Sequence, residues 1–122
     1  MARLFFSAGS ILAALAVVMG AVGAHSQAFD EVQTVWIDKG VRYQMFHSLA
    51  LLCTALVLAF QNTTSTLAVL AGLCFLAGIA LFSGSLYIMA FTSVDAGYIT
   101  PAGGFLFMAG WLCLAVSGPG GK

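Results

Sequence analysis

Charge is what this sequence has least of: Asp, Glu, Lys and Arg make up 7% of its 122 residues, four basic against four acidic. A soluble domain carries about 25% charged residues, and so few ionisable side chains cannot form the polar shell that water demands. Runs of Lys or Arg are absent as well, which excludes a nucleic-acid footprint and a polybasic lipid-binding segment. Cysteine is sparse. Cys53, Cys74 and Cys113 each sit alone in an apolar stretch, without the close spacing of a zinc site or a redox pair, so they are small packing residues.

What is abundant is apolar surface, 61% of the chain. It falls into four stretches, at about 4–24, 41–60, 67–91 and 101–116, the last one short, within a single domain covering 1–122. The first stretch follows Arg3 and ends near Ala-His-Ser, so it resembles a secretory signal. Its length is against that, since about 20 residues cross a hydrocarbon core whereas a signal's apolar region has roughly 7–15. The runs are continuous rather than alternating, and backbone groups in lipid must be satisfied within each segment, so helices are predicted instead of strands. The expected fold class is all-α: an integral membrane bundle of four antiparallel transmembrane helices, with the lipid bilayer as its main partner.

The connections agree with that plan. Residues 61–65 are too few for anything but a tight hairpin, and Asn62, although it opens an Asn-x-Thr sequon, lies too close to the membrane to be a good acceptor. Between the first two spans, Phe29, Val32, Val35 or Trp36, and Lys39 recur at helical spacing among polar residues. This predicts a short amphipathic segment, either lying in the interface with Trp36 as its anchor or running on into the second span with a bend at Gly40. Pro101 suits the first turn of the fourth helix, and residues 117–122 read as a frayed tail. Small residues mark the helix contacts: Gly9, Ala13, Ala16, Gly20 and Ala24 on the first span, Ala71, Cys74, Gly78 and Ser85 on the third, Gly103, Gly110 and Ser117 on the fourth.

Polar residues collect at the end of the bundle opposite the termini. His25, Arg42, Tyr43, His47, Ser83, Ser85 and Tyr87 are the candidate site, with His47 about six residues, or ~9 Å, inside the second span. An imidazole at that depth needs partners for both ring nitrogens, and a neutral ring satisfies them as one donor and one acceptor. Depth alone predicts that His47 approaches Ser83, Ser85 or the backbone at Gly84, where a missing side chain allows close approach. One reading makes this layer interhelical glue at ~0.6–2 kcal/mol per bond, with Arg42 snorkelling or paired with Asp38. The sharper one makes it a path for protons or small solutes in an oligomer. A haem or metal held between His25 and His47 is conceivable, yet no local ligand motif accompanies them; no catalytic set can be assembled, and neither cofactor nor metal is expected.

Four motifs in order carry a resemblance: Gly20-Ala21-Val22-Gly23-Ala24-His25; Tyr43-Gln44-Met45-Phe46-His47-Ser48-Leu49-Ala50-Leu51-Leu52; Leu81-Phe82-Ser83-Gly84-Ser85-Leu86-Tyr87; and Thr100-Pro101-Ala102-Gly103-Gly104 with Gly110-Trp111. Across nearly the whole chain the sequence resembles the domain-of-unknown-function family 423, the YgdD-type small bacterial inner-membrane proteins. The resemblance implies four helices and brings no activity. From the lack of a soluble domain and the abundant small-residue helix faces, the expected role is a non-enzymatic accessory or structural membrane component, associating with itself or a larger membrane complex. Lys and Arg tie across the two faces, but all four acids lie away from the termini, which places the termini in the cytoplasm.

Overall fold

A computed structural model describes residues 1–61, 65–92 and 94–118. Within them the chain is helical and contains no strand. Four helices follow in order: α1 is Ala2–His25, α2 Glu31–Gln61, α3 Thr66–Phe91 and α4 Thr100–Val116. Of these, α1, α2 and α3 are long and apolar enough to cross a membrane, whereas α4 has 17 residues. The tight turn and sequon at 62–64 and most of the expected tail, 119–122, lie outside the described residues.

The longest helix decides between the two alternatives for the first connection. No separate interfacial segment precedes the second span, because α2 begins at Glu31 and continues unbroken to Gln61. Its start is set by a reciprocal cap: Gln33 N–H donates to Asp30 Oδ1 (2.8 Å) and Asp30 N–H to Gln33 Oε1 (2.8 Å). This is the capping-box exchange, which satisfies two of the amide donors that a helix start otherwise leaves free. In its first turns Val32 and Val35 are exposed, whereas Ile37, Gly40 and Gln44 are buried, since that stripe meets α1 and α3. Gly40 lies inside the helix, and a Cβ there would meet the Tyr87 ring at 2.8 Å.

Rings seated on glycines dominate the packing. Phe5 of α1 covers Gly72 of α3, Phe75 of α3 covers Gly110 of α4, and Phe107 of α4 covers Gly78 of α3. All three rings are buried. Where lipid removes the hydrophobic incentive for helices to associate, close van der Waals contact is what remains, and glycine permits it. Between α1 and α2, Gly9 lies against the Ser48 carbonyl and Gly23 against Ile37. The remaining face of α1, including Leu4, Ile11 and Val17, is open, as a lipid-facing surface would be.

One irregularity has no counterpart in the sequence pattern. Residues Ile79–Ser83 form a π turn within α3, and the Gly84 N–H reaches back to the carbonyl of Ile79. Such a turn carries one extra residue and rotates the helix beyond it about its axis. Here Ser83 and Ser85 are both turned inward and the Phe82 backbone is brought against Gly103 of α4. Gly84 itself faces open space, with nothing within 4 Å of where its Cβ would stand, so the close approach of His47 expected there does not occur.

Candidate functional site

Helix α2 supplies the centre of the site because Gly40, Gln44 and His47 recur on its buried side. The Gln44 amide joins three helices: Nε2–H donates to the Leu12 carbonyl of α1 (2.8 Å), and Oε1 accepts from the Tyr87 hydroxyl of α3 (2.6 Å). Tyr87 reaches this far because helical side chains lean toward their own N-terminus, so its ring passes over Gly40. Beside it, Ser83 donates to the Gly40 carbonyl (2.7 Å). Between α3 and α4, Ser85 and Thr100 share a hydrogen bond of 2.5 Å. Ser85 gives its only proton to the Phe82 carbonyl (2.9 Å), which makes Thr100 the donor of that pair.

His47 is buried but meets neither serine. Its Nδ1 lies 2.6 Å from the Tyr43 carbonyl one turn back, and its Nε2 accepts from the Trp111 indole N–H of α4 at 3.0 Å. A carbonyl and an indole N–H have fixed roles, acceptor and donor, so the ring is the neutral tautomer protonated on Nδ1. Phe107 stacks on it with centroids 3.6 Å apart and planes 9° from parallel. Counting depth from the apolar ends misplaced the serines by roughly two helical turns, since Ser83 aligns with Gly40, seven residues before His47. Along α2, Ser48 and Thr54 donate to carbonyls of their own helix, and Gln61 donates to the Ser117 carbonyl (2.9 Å) at the end near the termini.

Two of the expected residues stand apart from this cluster. His25 is exposed at the last residue of α1. Arg42 pairs with Asp38 at 2.8 Å, both side chains being about two-thirds exposed at 60% and 65%, an arrangement worth under about 1 kcal/mol. Tyr43 lies on the rim, its ring against Phe82 at 4.5 Å, and contributes its carbonyl rather than its hydroxyl. A haem or metal shared by His25 and His47 does not assemble in this geometry, because both nitrogens of His47 are engaged and His25 sits at the helix end. Among the described residues no three His, Cys, Asp or Glu side chains are grouped to hold a metal.

Sequence reasoning passed over Gln44, Thr100, Phe107 and Trp111. The signal for Gln44 was present, since an amide within an apolar span demands partners as a histidine does. Trp111 had none beyond its place in the family motif. A separate open cleft of about 360 Å³ lies at the loop end, lined by Asp30, Gln33, Trp36, Met89 and Asp95 among others. There Gln33 also ties α2 to α3 by donating to the Ala90 carbonyl (3.1 Å).

The fold and the buried network define a small helical membrane protein whose polar groups are concentrated between its helices. The chain belongs to the family described as "Protein of unknown function (DUF423)", which matches residues 19–104 and so includes Gln44, His47, Ser83, Ser85, Tyr87 and Thr100. It is 41% identical over 119 residues to UPF0382 membrane protein SH2409 of Staphylococcus haemolyticus, covering 94% of each chain. With a UPF0382 membrane protein of Haemophilus influenzae the identity is 43% over 102 residues, 81% of this chain and 80% of that one. With UPF0382 inner membrane protein YgdD of Escherichia coli it is 39% over 103 residues, 82% of this chain and 77% of that one. No solved structure matches the chain. It is a multi-pass protein of the cell inner (plasma) membrane, from a family whose members are named as membrane proteins without an activity.

Proposed function

We propose that this protein is a non-enzymatic structural or accessory component of the membrane, a bundle of four antiparallel spans that packs against copies of itself or a larger membrane complex. The observation that carries this reading is that every buried side-chain nitrogen and oxygen among the described residues has a hydrogen-bond partner. Its polar groups are thereby committed to joining helices. The contact order supports the antiparallel arrangement: Gly9 meets Ser48 while Gly23 meets Ile37, and Phe75 meets Gly110 while Phe82 meets Gly103. The 17 residues of α4 rise ~26 Å, enough for a short fourth span.

A proton or small-solute path is the competing reading, and it draws on His47, an ionisable ring inside a span. Against it, the next polar residues along α2, Ser48 and Thr54, are turned onto their own helix. Two measurements separate the readings. In mild detergent the protein should run as a stable oligomer or complex, and in vesicles loaded with a pH-sensitive dye it should not raise proton leakage. Leakage that His47→Gln abolishes would replace this reading with transport through an oligomer, and a lone monomer without leakage would remove the self-association proposed here.

The termini are proposed to be cytoplasmic. Arg3 and Lys122 stand at the terminal end, whereas Lys39 and Arg42 both belong to α2 and Arg42 is paired there with Asp38. A reporter fused to the C-terminus is expected to be active in the cytoplasm, and activity restricted to the other side of the membrane would reverse the orientation.

A further inference from the structure

We infer that the His47–Trp111 pair is a proton-sensitive latch between α2 and α4. The inference rests on hydrogen-bond complementarity. The Tyr43 carbonyl, 2.6 Å from Nδ1, has no proton to give, and the Trp111 indole, 3.0 Å from Nε2, has no lone pair to offer. The arrangement therefore fits only the neutral ring. A second proton would set an N–H on Nε2 facing the N–H of Trp111, two donors with no acceptor between them, and the link from α2 to α4 would break.

The surroundings make the break selective. The ring is bordered by Phe75 from α3 (centroids 5.7 Å apart), Phe107 and Trp111 from α4, and Tyr43 from its own helix (6.1 Å). No described ring contact comes from α1. Tyr43 is the one titratable side chain in this set, and no carboxylate is in it to accept from the new N–H. Along α2 the nearest ion is Arg42, which is paired with Asp38 and lies ~7 Å of helix rise away, and Lys39 lies ~12 Å away. Phe107 tolerates the charged ring, since a cation over an aromatic face is attracted to it. Trp111 does not, and at 45% exposure its indole has room to swing outward while the remaining contacts of α4 hold. The latch thus opens at one side chain and not by unfolding, and it stands independently of the accessory role proposed above.

Trp36→Phe leaves Trp111 as the only tryptophan and gives a direct readout, because the chain has two. In detergent, Trp111 emission of this variant is expected to change reversibly along a single titration between about pH 8 and about pH 5. Adding His47→Gln should abolish the change: the amide oxygen still accepts from the indole and takes up no proton, while every other titratable group, His25 included, is retained. Melting provides a second readout. On acidification over the same window the parent chain should lose roughly tenfold in its folded-to-unfolded ratio, the net worth of one such bond. Trp111→Phe should start lower and lose much less. Flat emission across the window, or the same titration in the His47→Gln variant, overturns the latch. If that variant does not fold, parallel pH profiles of melting for the parent chain and Trp111→Phe overturn it equally.

Discussion

Alanine at Gly103 is expected to drive α4 away from α3 and to lower the melting temperature of the protein in detergent sharply. A Cβ at this position would run into the Phe82 backbone nitrogen and stand 2.7 Å from Phe82 Cβ and 2.8 Å from Phe82 Cα. Main-chain atoms in the π turn cannot rotate aside as a side-chain tip does, so the helices themselves must separate. Overpacking of this kind costs about 1–3 kcal/mol. Separation would also disturb Ser85–Thr100 and the Phe107 ring seated on Gly78. The neighbouring Gly104→Ala is the control, since its Cβ would come no closer than 3.9 Å to Phe82. Gly104→Ala should melt like the parent chain. Equal melting of the two variants would mean that α3 and α4 do not meet at Gly103.

The second large effect belongs to Gln44→Leu. That substitution removes the acceptor of the Tyr87 hydroxyl and the donor to the Leu12 carbonyl in one step, from a side chain that is 4% exposed. A buried group left unpaired costs about 1–3 kcal/mol, so the variant should be destabilised by at least that order. Tyr87→Phe removes only the other end of one bond and should cost ~1 kcal/mol. Because the double variant leaves no orphaned hydroxyl, its loss should be smaller than the sum of the two, with a coupling of roughly 0.5–2 kcal/mol. Strict additivity in detergent unfolding would show that Gln44 and Tyr87 do not share a hydrogen bond.

The two predictions test different layers of the same bundle, and they differ in how far the sequence announced them. Gly103 stood in a seven-residue repeat with Gly110 and Ser117, and all three are buried. The repeat marked a face, yet it held no information on which atoms would fill the space left by each glycine. That Phe75 fills Gly110 and that the Phe82 main chain fills Gly103 is a consequence of the register of α3 against α4, which the π turn sets. A π turn has no periodicity of its own to read. It persists because the contacts it makes possible outweigh the poorer local geometry.

Burial of His47 and of the serines at 83 and 85 was legible, because a polar side chain inside an apolar span has nowhere else to find a partner. Their pairing was not. Depth along a helix is readable from the rise per residue, but the partner of a side chain depends on rotation about the axis and on where a neighbouring helix begins. Glu31, and not Val41, is where α2 begins, so the polar residues of α2 and α3 meet at Gly40 and Gln44. His47 is left one layer deeper, where α4 supplies Phe107 and Trp111.

Composition and the length of the apolar runs by themselves determined the solvent, the helical class and the boundaries of the helices to within a few residues, apart from the start of α2. Those properties depend on transfer of each segment from water to lipid and on bonds within it, both local to the segment. Only the tertiary structure decided which nitrogen of His47 carries its proton, which helix receives Tyr87, and which glycine a ring covers. Each of these is a relation between segments distant in sequence, and hydrogen-bond direction and ring contact are defined only once two backbones have been brought into register.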